Sequence, residues 1–342
     1  MSNNLLTITI PTYNRNAILK KNLQTLLPQT KNNCEVIVID NHSEIPVEET
    51  LKEELKEYPN LSVVRNKANV GLSGNLIKCF EICETEWVWL IGDDDKTLSN
   101  AVDTVSEYIT KYPNAHYINF TSDLVDRNPK IIRQQDFEAI GPNEFIEKVD
   151  DFSNVIFLSV GIYKMDKIRE HIRFAYLFSY TLCPHTALLL ASLRKDSQIL
   201  FAFNNIVERY VIGVDDKDNT WSQLFFRLSI PTLFEIPIDL DKNNKNKWVK
   251  IIIENIGRPV RVLSEVIMYL HKKDKDELNF LFNQINHRLI PFKMNFFWHL
   301  EFYFCKIILN IPLFSNMFFN MNVRVRTKKD KVISDTDMFS RI

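Results

Sequence analysis

The chain reads as an α/β protein with a mostly parallel sheet and flanking helices, followed by a helical C-terminal extension. Three observations predict this. Strand-like apolar runs and helix-spaced segments follow one another as β-α-β-α-β-α-β over the first hundred residues, an order that favours parallel strands joined by crossover helices. Cys34–Asp40 is a near-continuous apolar run of the kind that fills a strand buried on both faces. Two of the strands end in acid-bearing loops, and ligands of open α/β sheets sit at the carboxyl ends of strands.

Leu5–Ile10 alternates β-branched and apolar residues and breaks at Pro11-Thr12-Tyr13-Asn14-Arg15, after which Ile18–Leu27 has helical spacing. Cys34–Asp40 ends in Asp40-Asn41-His42-Ser43. A Glu- and Leu-rich helix is expected over Pro46–Glu57, then a short strand at Leu61–Arg65. Asn66–Asn75 reads as a loop in which Gly71 and Gly74 bring backbone close to a ligand, followed by a helix over Leu76–Cys83. The next strand starts at Trp87 and runs into Gly92-Asp93-Asp94-Asp95. Further on, Ala101–Tyr112 and Pro184–Leu193 read as helices. His116–Ser122, Asn154–Tyr163, Phe201–Val214 and Thr232–Ile238 read as extended segments.

Three adjacent carboxylates repel one another, and nothing in the neighbouring sequence neutralises them. Such a cluster is expected to hold a cation, whereas a solvated acidic turn is the bland alternative. A Mg²⁺ or Mn²⁺ ion held by one or two carboxylates keeps open positions for substrate phosphates.

Four segments carry a specific resemblance: Ile8–Arg15, Val36–Ser43, Asn69-Val70-Gly71 with Asn75, and Trp89–Asp95. In this order and spacing they resemble the nucleotide-sugar-binding half of family 2 glycosyltransferases with the GT-A fold. The Gly-Asp-Asp-Asp form, with its Trp-Val-Trp-Leu lead-in, is most similar to the bacterial branch that builds O-antigen and capsule sugars, including abequosyltransferase-like members. The resemblance implies a GT-A domain over residues 1–240. Residues 1–100 would bind the nucleotide-sugar and 101–240 the acceptor, with Asp241–Lys247 as the boundary to a helical region at 248–326.

It also implies roles. Pro11, Thr12, Tyr13, Asn14 and Arg15 would line the nucleotide, Tyr13 packing on the base and Arg15 reaching a phosphate. Asp40 would accept a hydrogen bond from the uracil imide, since an ionised carboxylate only accepts. Asn69, Gly71 and Asn75 would hold the ribose and diphosphate. Asp93 and Asp95 would bind the Mn²⁺ or Mg²⁺, Asp95 directly, and Asp93 and Asp94 would contact the sugar-nucleotide. Many relatives carry an acid one position earlier, where this chain has Gly92, so the ligand set stays open. Plainer readings exist for Tyr13 and Asn14 as turn residues, Asn75 as a helix cap and Asp40 as a cap.

Glycosyl transfer by inversion also needs a general base near the acceptor hydroxyl. Family members often supply it from a downstream acidic pair, but here the region reads Phe178–Leu190 with no acid opening the helix. His185, which titrates near neutrality, is the expected substitute, with Asp94 as a second catalytic carboxylate. Asp166 and the Asp215-Asp216-Lys217-Asp218 cluster are weaker choices.

Composition sets outer limits. A formal charge of −1 over 342 residues disfavours a nucleic-acid partner. Five cysteines suit reduced thiols in the cytoplasm, and Cys79 and Cys83, spaced i, i+4, read as packing rather than as a metal pair. The amino terminus lacks the pattern of a secretory signal. Pro291–Met321 is crowded with aromatic and aliphatic residues but interrupted by charge, short of the ~18 apolar residues that span a bilayer. With the basic run Val323–Lys329 it suits a helix lying on anionic lipid over 291–329, or else a packing or oligomer interface. The expected protein transfers sugar from a UDP-sugar to a saccharide acceptor, lipid-linked or otherwise, at the cytoplasmic face of the inner membrane. A non-catalytic scaffold subunit is the alternative. A nucleotidyltransferase would want a Gly- and Arg/Lys-rich phosphate loop that Pro11–Asn16 lacks.

Overall fold

Pairing of the strands places the second half of the sheet against the first. The computed structural model describes residues 5–30, 34–123, 133–149, 152–208, 230–256, 258–260, 262, 263, 282, 283, 296–311 and 317. They fall in two compact units, one within Met1–Val211 and Ile238–Asn244, the other within Ile212–Pro237 and Lys245–Arg341.

In the first unit β1 (Leu6–Thr12), β2 (Cys34–Asp40), β3 (Leu61–Arg65) and β4 (Trp87–Leu90) form the parallel half, in the order β3-β2-β1-β4. Four helices connect them: α1 (Asn16–Leu26) after β1, α2 (Val47–Thr50) and α3 (Lys52–Glu57) after β2, and α4 (Gly71–Glu81) after β3. The sheet continues through β5 (Lys96–Thr97), β6 (Tyr117–Asp123), β7 (Phe137–Ile140), β8 (Gly161–Lys164) and β9 (Gln198–Glu208). β8 is antiparallel to both β4 and β6, and β9 is parallel to β6. The sheet is therefore mixed rather than uniformly parallel.

All seven residues of β1 are buried. Its strand runs two residues past the expected break, pairing Pro11 with Ile39 and Thr12 with Asp40. Pro11 lies beyond the last β1–β4 pair, Thr9 with Leu90, so its missing N–H removes nothing from that ladder. Trp89 is fully buried and its indole N–H donates to the Ser159 carbonyl at 2.9 Å, which satisfies the one polar atom the ring brings into the core.

Several expectations are corrected. α4 begins at Gly71 rather than Leu76, because Gly71 takes φ +73° and its N–H is held by Asn69 Oδ1 at 2.9 Å; Asn75 is thus inside the helix, not its cap. Asn154–Tyr163 is not one strand. Phe152–Ile156 is helical, burying Phe152, Val155 and Ile156 at i, i+3, i+4, and only Gly161–Lys164 is extended. Ile230–Glu235 is a 3₁₀ segment where an extended one was expected. The polar stretch at 241–247 opens a helix, Lys242–Ile256, with Asp241 Oδ1 accepting the Asn244 N–H at 2.9 Å. Asp215, Asp216, Asp218, Trp221 and Val323–Lys329 lie outside the described residues.

In the second unit the helix Phe296–Asn310 buries Trp298, Phe302, Cys305, Ile308 and Leu309. Its other side exposes Phe296, Phe297, Leu300, Tyr303, Phe304 and Ile307. Glu301 fixes the helix by accepting from Arg258 at 2.6 Å and from the Val260 N–H at 2.9 Å. Among the described residues no helix is long and apolar enough to cross a membrane.

Candidate active site

Strand order reverses between β1 and β4, because the chain winds outward from β1 to β3 and then returns to the opposite side of β1. At such a switch point the loops leaving the two strands diverge and open a crevice. The first loop and the acidic turn meet across it. Thr12 donates its hydroxyl to Asp93 Oδ2 at 2.7 Å. The Arg15 guanidinium spans two acids, Nη1 to Asp93 Oδ1 at 2.8 Å and Nη2 to Asp94 Oδ2 at 2.9 Å. From α1, Asn22 donates to the Asp93 carbonyl at 2.8 Å. Among the described residues no neighbour in sequence neutralises the triplet, as expected; the counter-charge is Arg15, 78 positions from Asp93.

The three acids differ in setting. Asp93 is buried, and burial raises its pKa to about 6; Arg15 and the Thr12 hydroxyl work against the rise and Asp94 adds to it. Asp94 is the outward one, its side chain 27% exposed against 6% for Asp93. Asp95 turns back over Gly92, its Oδ2 accepting the Ser159 hydroxyl at 2.6 Å, while Ser159 Oγ also accepts the Gly92 N–H at 2.8 Å. A Cβ on Gly92 would lie 2.7 Å from Asp95 Oδ2 and 3.1 Å from Asp94 Oδ1. Gly92 thus makes room for Asp95. As arranged, the turn does not fit the divalent ion implied by the resemblance. Arg15 holds Asp93 and Asp94, Asp95 faces Ser159, and among the described residues no group of three or more His, Cys, Asp or Glu side chains converges.

On the other side of β1, Asp40 is fully buried at the end of β2. Its Oδ1 accepts the Ser43 N–H at 2.8 Å, and its Oδ2 accepts the Val47 N–H at 3.3 Å and a short bond from Arg65 Nη1. Burial opposes its ionised form, but the hydrogen bonds from Ser43, Val47 and Arg65 outweigh it and hold the carboxyl below the ordinary carboxylate pKa. The cap reading is the one this geometry supports, with Ser43, Val47 and Arg65 engaging both carboxylate oxygens. Asn14 takes φ +54°, its N–H donating to Ser43 Oγ at 2.9 Å and its Oδ1 accepting from Glu44 at 2.8 Å, so it ties the two loops together. Tyr13 is half-buried beside it.

Four asparagines close this end. Asn41 donates to Asn69 Oδ1 at 2.7 Å and accepts from Asn66 at 3.0 Å and the Val70 N–H at 3.0 Å. Asn75 accepts from Asn66 at 2.9 Å and donates to the Ile39 carbonyl at 3.0 Å. Asn69 and Asn75 were expected here for their contact with ligand; Asn41 and Asn66 emerge only from the fold, as do Arg65, Asn22 and Ser159.

His185 is corrected as a base, because it is enclosed in the core. It is 2% exposed inside the wholly buried helix Pro184–Ser192, and Nε2 must carry the proton because its partner, 2.7 Å away, is the Ile156 carbonyl. Nδ1 is buried with no hydrogen-bond partner, and burial pushes the pKa down to about 4. Asp166 pairs at the surface with Lys167 at 3.4 Å. All five cysteines are free and buried, Cys79 and Cys83 included, as expected.

Residues 7–162 match the model of Glycosyl transferase family 2, and this span includes nearly all of β1, the first half of β8, and Thr12, Arg15, Asn22 and Ser159 around the acidic turn. Over these residues the chain is similar to glycosyltransferase family 2. Curated relatives are similar to part of the chain. A Haemophilus influenzae protein named uncharacterized glycosyltransferase is 30% identical over 33% of this chain and 37% of its own length. The Salmonella typhimurium abequosyltransferase RfbV is 27% identical over 36% of this chain and 40% of itself. A Campylobacter jejuni GalNAc(5)-diNAcBac-PP-undecaprenol beta-1,3-glucosyltransferase is 23% identical over 42% and 46%. The chain thus spans less than half the length of each of these relatives. Among solved structures, S. aureus TarS 1-349 in complex with UDP superposes at a TM-score of 0.56 with 13% identity, covering 97% of this chain and 94% of that one. The complex of the same protein with UDP-GlcNAc gives 0.55 and 12% over 95% and 92%. The α/β fold with flanking helices expected from the resemblance is the fold observed, with a mixed sheet where a mostly parallel one was expected, and it is similar to the TarS structures.

Proposed function

We propose that this chain moves a sugar, a hexose or N-acetylhexosamine, from a nucleotide-sugar to a hydroxyl of a growing surface polysaccharide or lipid-linked saccharide. The observation that carries the reading is the cluster at the β1–β4 seam, where Thr12 and Arg15 of the first loop meet Asp93 and Asp94. Bond breaking leaves charge on a diphosphate, and a guanidinium suits that group because its planar fork matches phosphate oxygens. The asparagine network presents the amino-terminal end of α4, an end that favours anions. Asp94, the most exposed acid of the turn, is the catalytic carboxylate, and His185 is enclosed in the core. UDP is the favoured carrier, because the similar TarS structures were solved with UDP and UDP-GlcNAc. Calorimetric titration with UDP, CDP and dTDP, each with and without Mn²⁺, tests this. Binding of one nucleotide is expected, and binding of none would sink the reading.

A scaffold role is favoured by one observation, the absence of a base at position 185, and a chain that binds UDP but turns over no donor would establish it. The exposed side of helix Phe296–Asn310 supports a seat on the cytoplasmic face of the inner membrane, since aromatic side chains settle at the lipid–water boundary and the basic run at 323–329 adds attraction to anionic headgroups. The double variant Phe297→Ser, Phe304→Ser is expected to weaken co-sedimentation with phosphatidylglycerol vesicles by about tenfold, whereas an unchanged bound fraction would remove the membrane seat.

A further inference from the structure

We infer that Arg15 is the resident cation of the acidic turn: in the nucleotide-free chain its guanidinium excludes a divalent ion from Asp93 and Asp94, and a nucleoside diphosphate admits the ion by drawing the guanidinium away. The inference rests on the proposed donor site and explains why the turn does not fit an ion as arranged.

The geometry is specific. One guanidinium reaches two neighbouring carboxylates through different nitrogens, at 2.8 and 2.9 Å, so both acids present their outer oxygens to the same plane of donors. A divalent ion bound to those acids would compete for Asp93 Oδ1 and Asp94 Oδ2 and would stand a few ångströms from the guanidinium, where like charges in a half-buried site repel strongly. Asp93 is also held by Thr12 and Asn22, which fix it in the crevice whether or not Arg15 is present. Arg15 is the movable member: it begins α1 at the surface end, its side chain 24% exposed on a long flexible stem. A diphosphate offers that fork a stronger partner than two carboxylates that must also be kept dry. Linkage then requires the effect to run both ways, so that nucleotide strengthens ion binding by the factor by which the ion strengthens nucleotide binding.

The experiment is titration of the full-length chain with Mn²⁺ alone, free ion being read from its electron paramagnetic resonance signal. Without nucleotide the unsubstituted protein is expected to bind Mn²⁺ at least about tenfold more weakly than with saturating UDP, and Arg15→Gln without nucleotide to bind it at least about tenfold more tightly than the unsubstituted protein. Arg15→Lys keeps the charge and is expected to stay weak. The inference is overturned if Arg15→Gln binds Mn²⁺ no better, if Arg15→Lys gains as much as Arg15→Gln, or if the unsubstituted protein binds Mn²⁺ equally well with and without UDP. That last comparison needs no variant, so it stands even where a substitution impairs folding. Failure of the donor-site reading is seen separately, as no binding of UDP to the unsubstituted protein with Mn²⁺ in excess.

Discussion

Asp93→Asn is expected to give a protein that is more stable at pH 7.5 and inactive. Asp93 ionises with a pKa of about 6 in the folded chain against an ordinary 3.8, because burial outweighs its bond to Arg15. A carboxyl whose folded pKa is raised favours the fold while it is protonated. That contribution is complete below about pH 4 and is lost as pH rises through about 6, a swing of about 3 kcal/mol at 1.36 kcal/mol per unit. Asn has the same shape, cannot ionise and still accepts from Thr12, so it should recover about 1–3 kcal/mol above pH 6. It should also lower kcat by about 10²–10³, the scale on which one preorganised electrostatic group acts. Thermal melting across pH 4 to 8, with donor turnover measured alongside, checks both halves. A melting temperature that falls in the variant would show that the ion pair with Arg15, rather than burial, dominates this carboxylate.

Asp40→Ala is expected to be the most destabilising single change in the first unit's loops, at about 3–5 kcal/mol. It would leave the Ser43 and Val47 N–H groups without their acceptor and remove one partner of Arg65, which keeps its bond to the Ser43 carbonyl. Because the folded pKa of Asp40 lies below the ordinary value, its stabilisation is present above about pH 4 and is lost as pH falls through the lowered pKa. Urea unfolding at pH 7 and pH 3 measures this: the gap between variant and parent should narrow at the lower pH. An equal gap at both would assign the loss to packing alone.

Sequence was informative where one residue's chemistry and its strand position coincide. β2 stands where it was expected, because its uninterrupted run Val36–Ile39 is satisfied by burial in the sheet, whereas β3 is an edge strand of which only Leu61 is buried. The four motifs meet at one end of the sheet for the same reason: parallel strands deliver their carboxyl ends to one edge. What stayed hidden depends on partners remote in the chain. Arg15 reaches Asp93 across 78 positions and Ser159 reaches Asp95 across 64, and no local pattern announces such pairs. His185 misled because a titratable side chain at a helix start looks the same in sequence whether it faces a substrate or, as here, a carbonyl inside the core. The Gly71–Gly74 stretch misled in the opposite direction: glycine suggests a loop, but a single residue at positive φ was enough to start α4 there.

The close approach of Asp95 to Gly92 ties the two positions into a single heritable unit. With a Cβ at position 92 standing 2.7 Å from Asp95 Oδ2, Gly92→Asp should be damaging beside Asp95 yet tolerated beside a residue too small to fold back. The two substitutions would show sign epistasis, each harmful alone and neutral together. The spelling with the acid one place earlier would then be reachable from this chain only by passing through a less fit intermediate or by changing both codons at once.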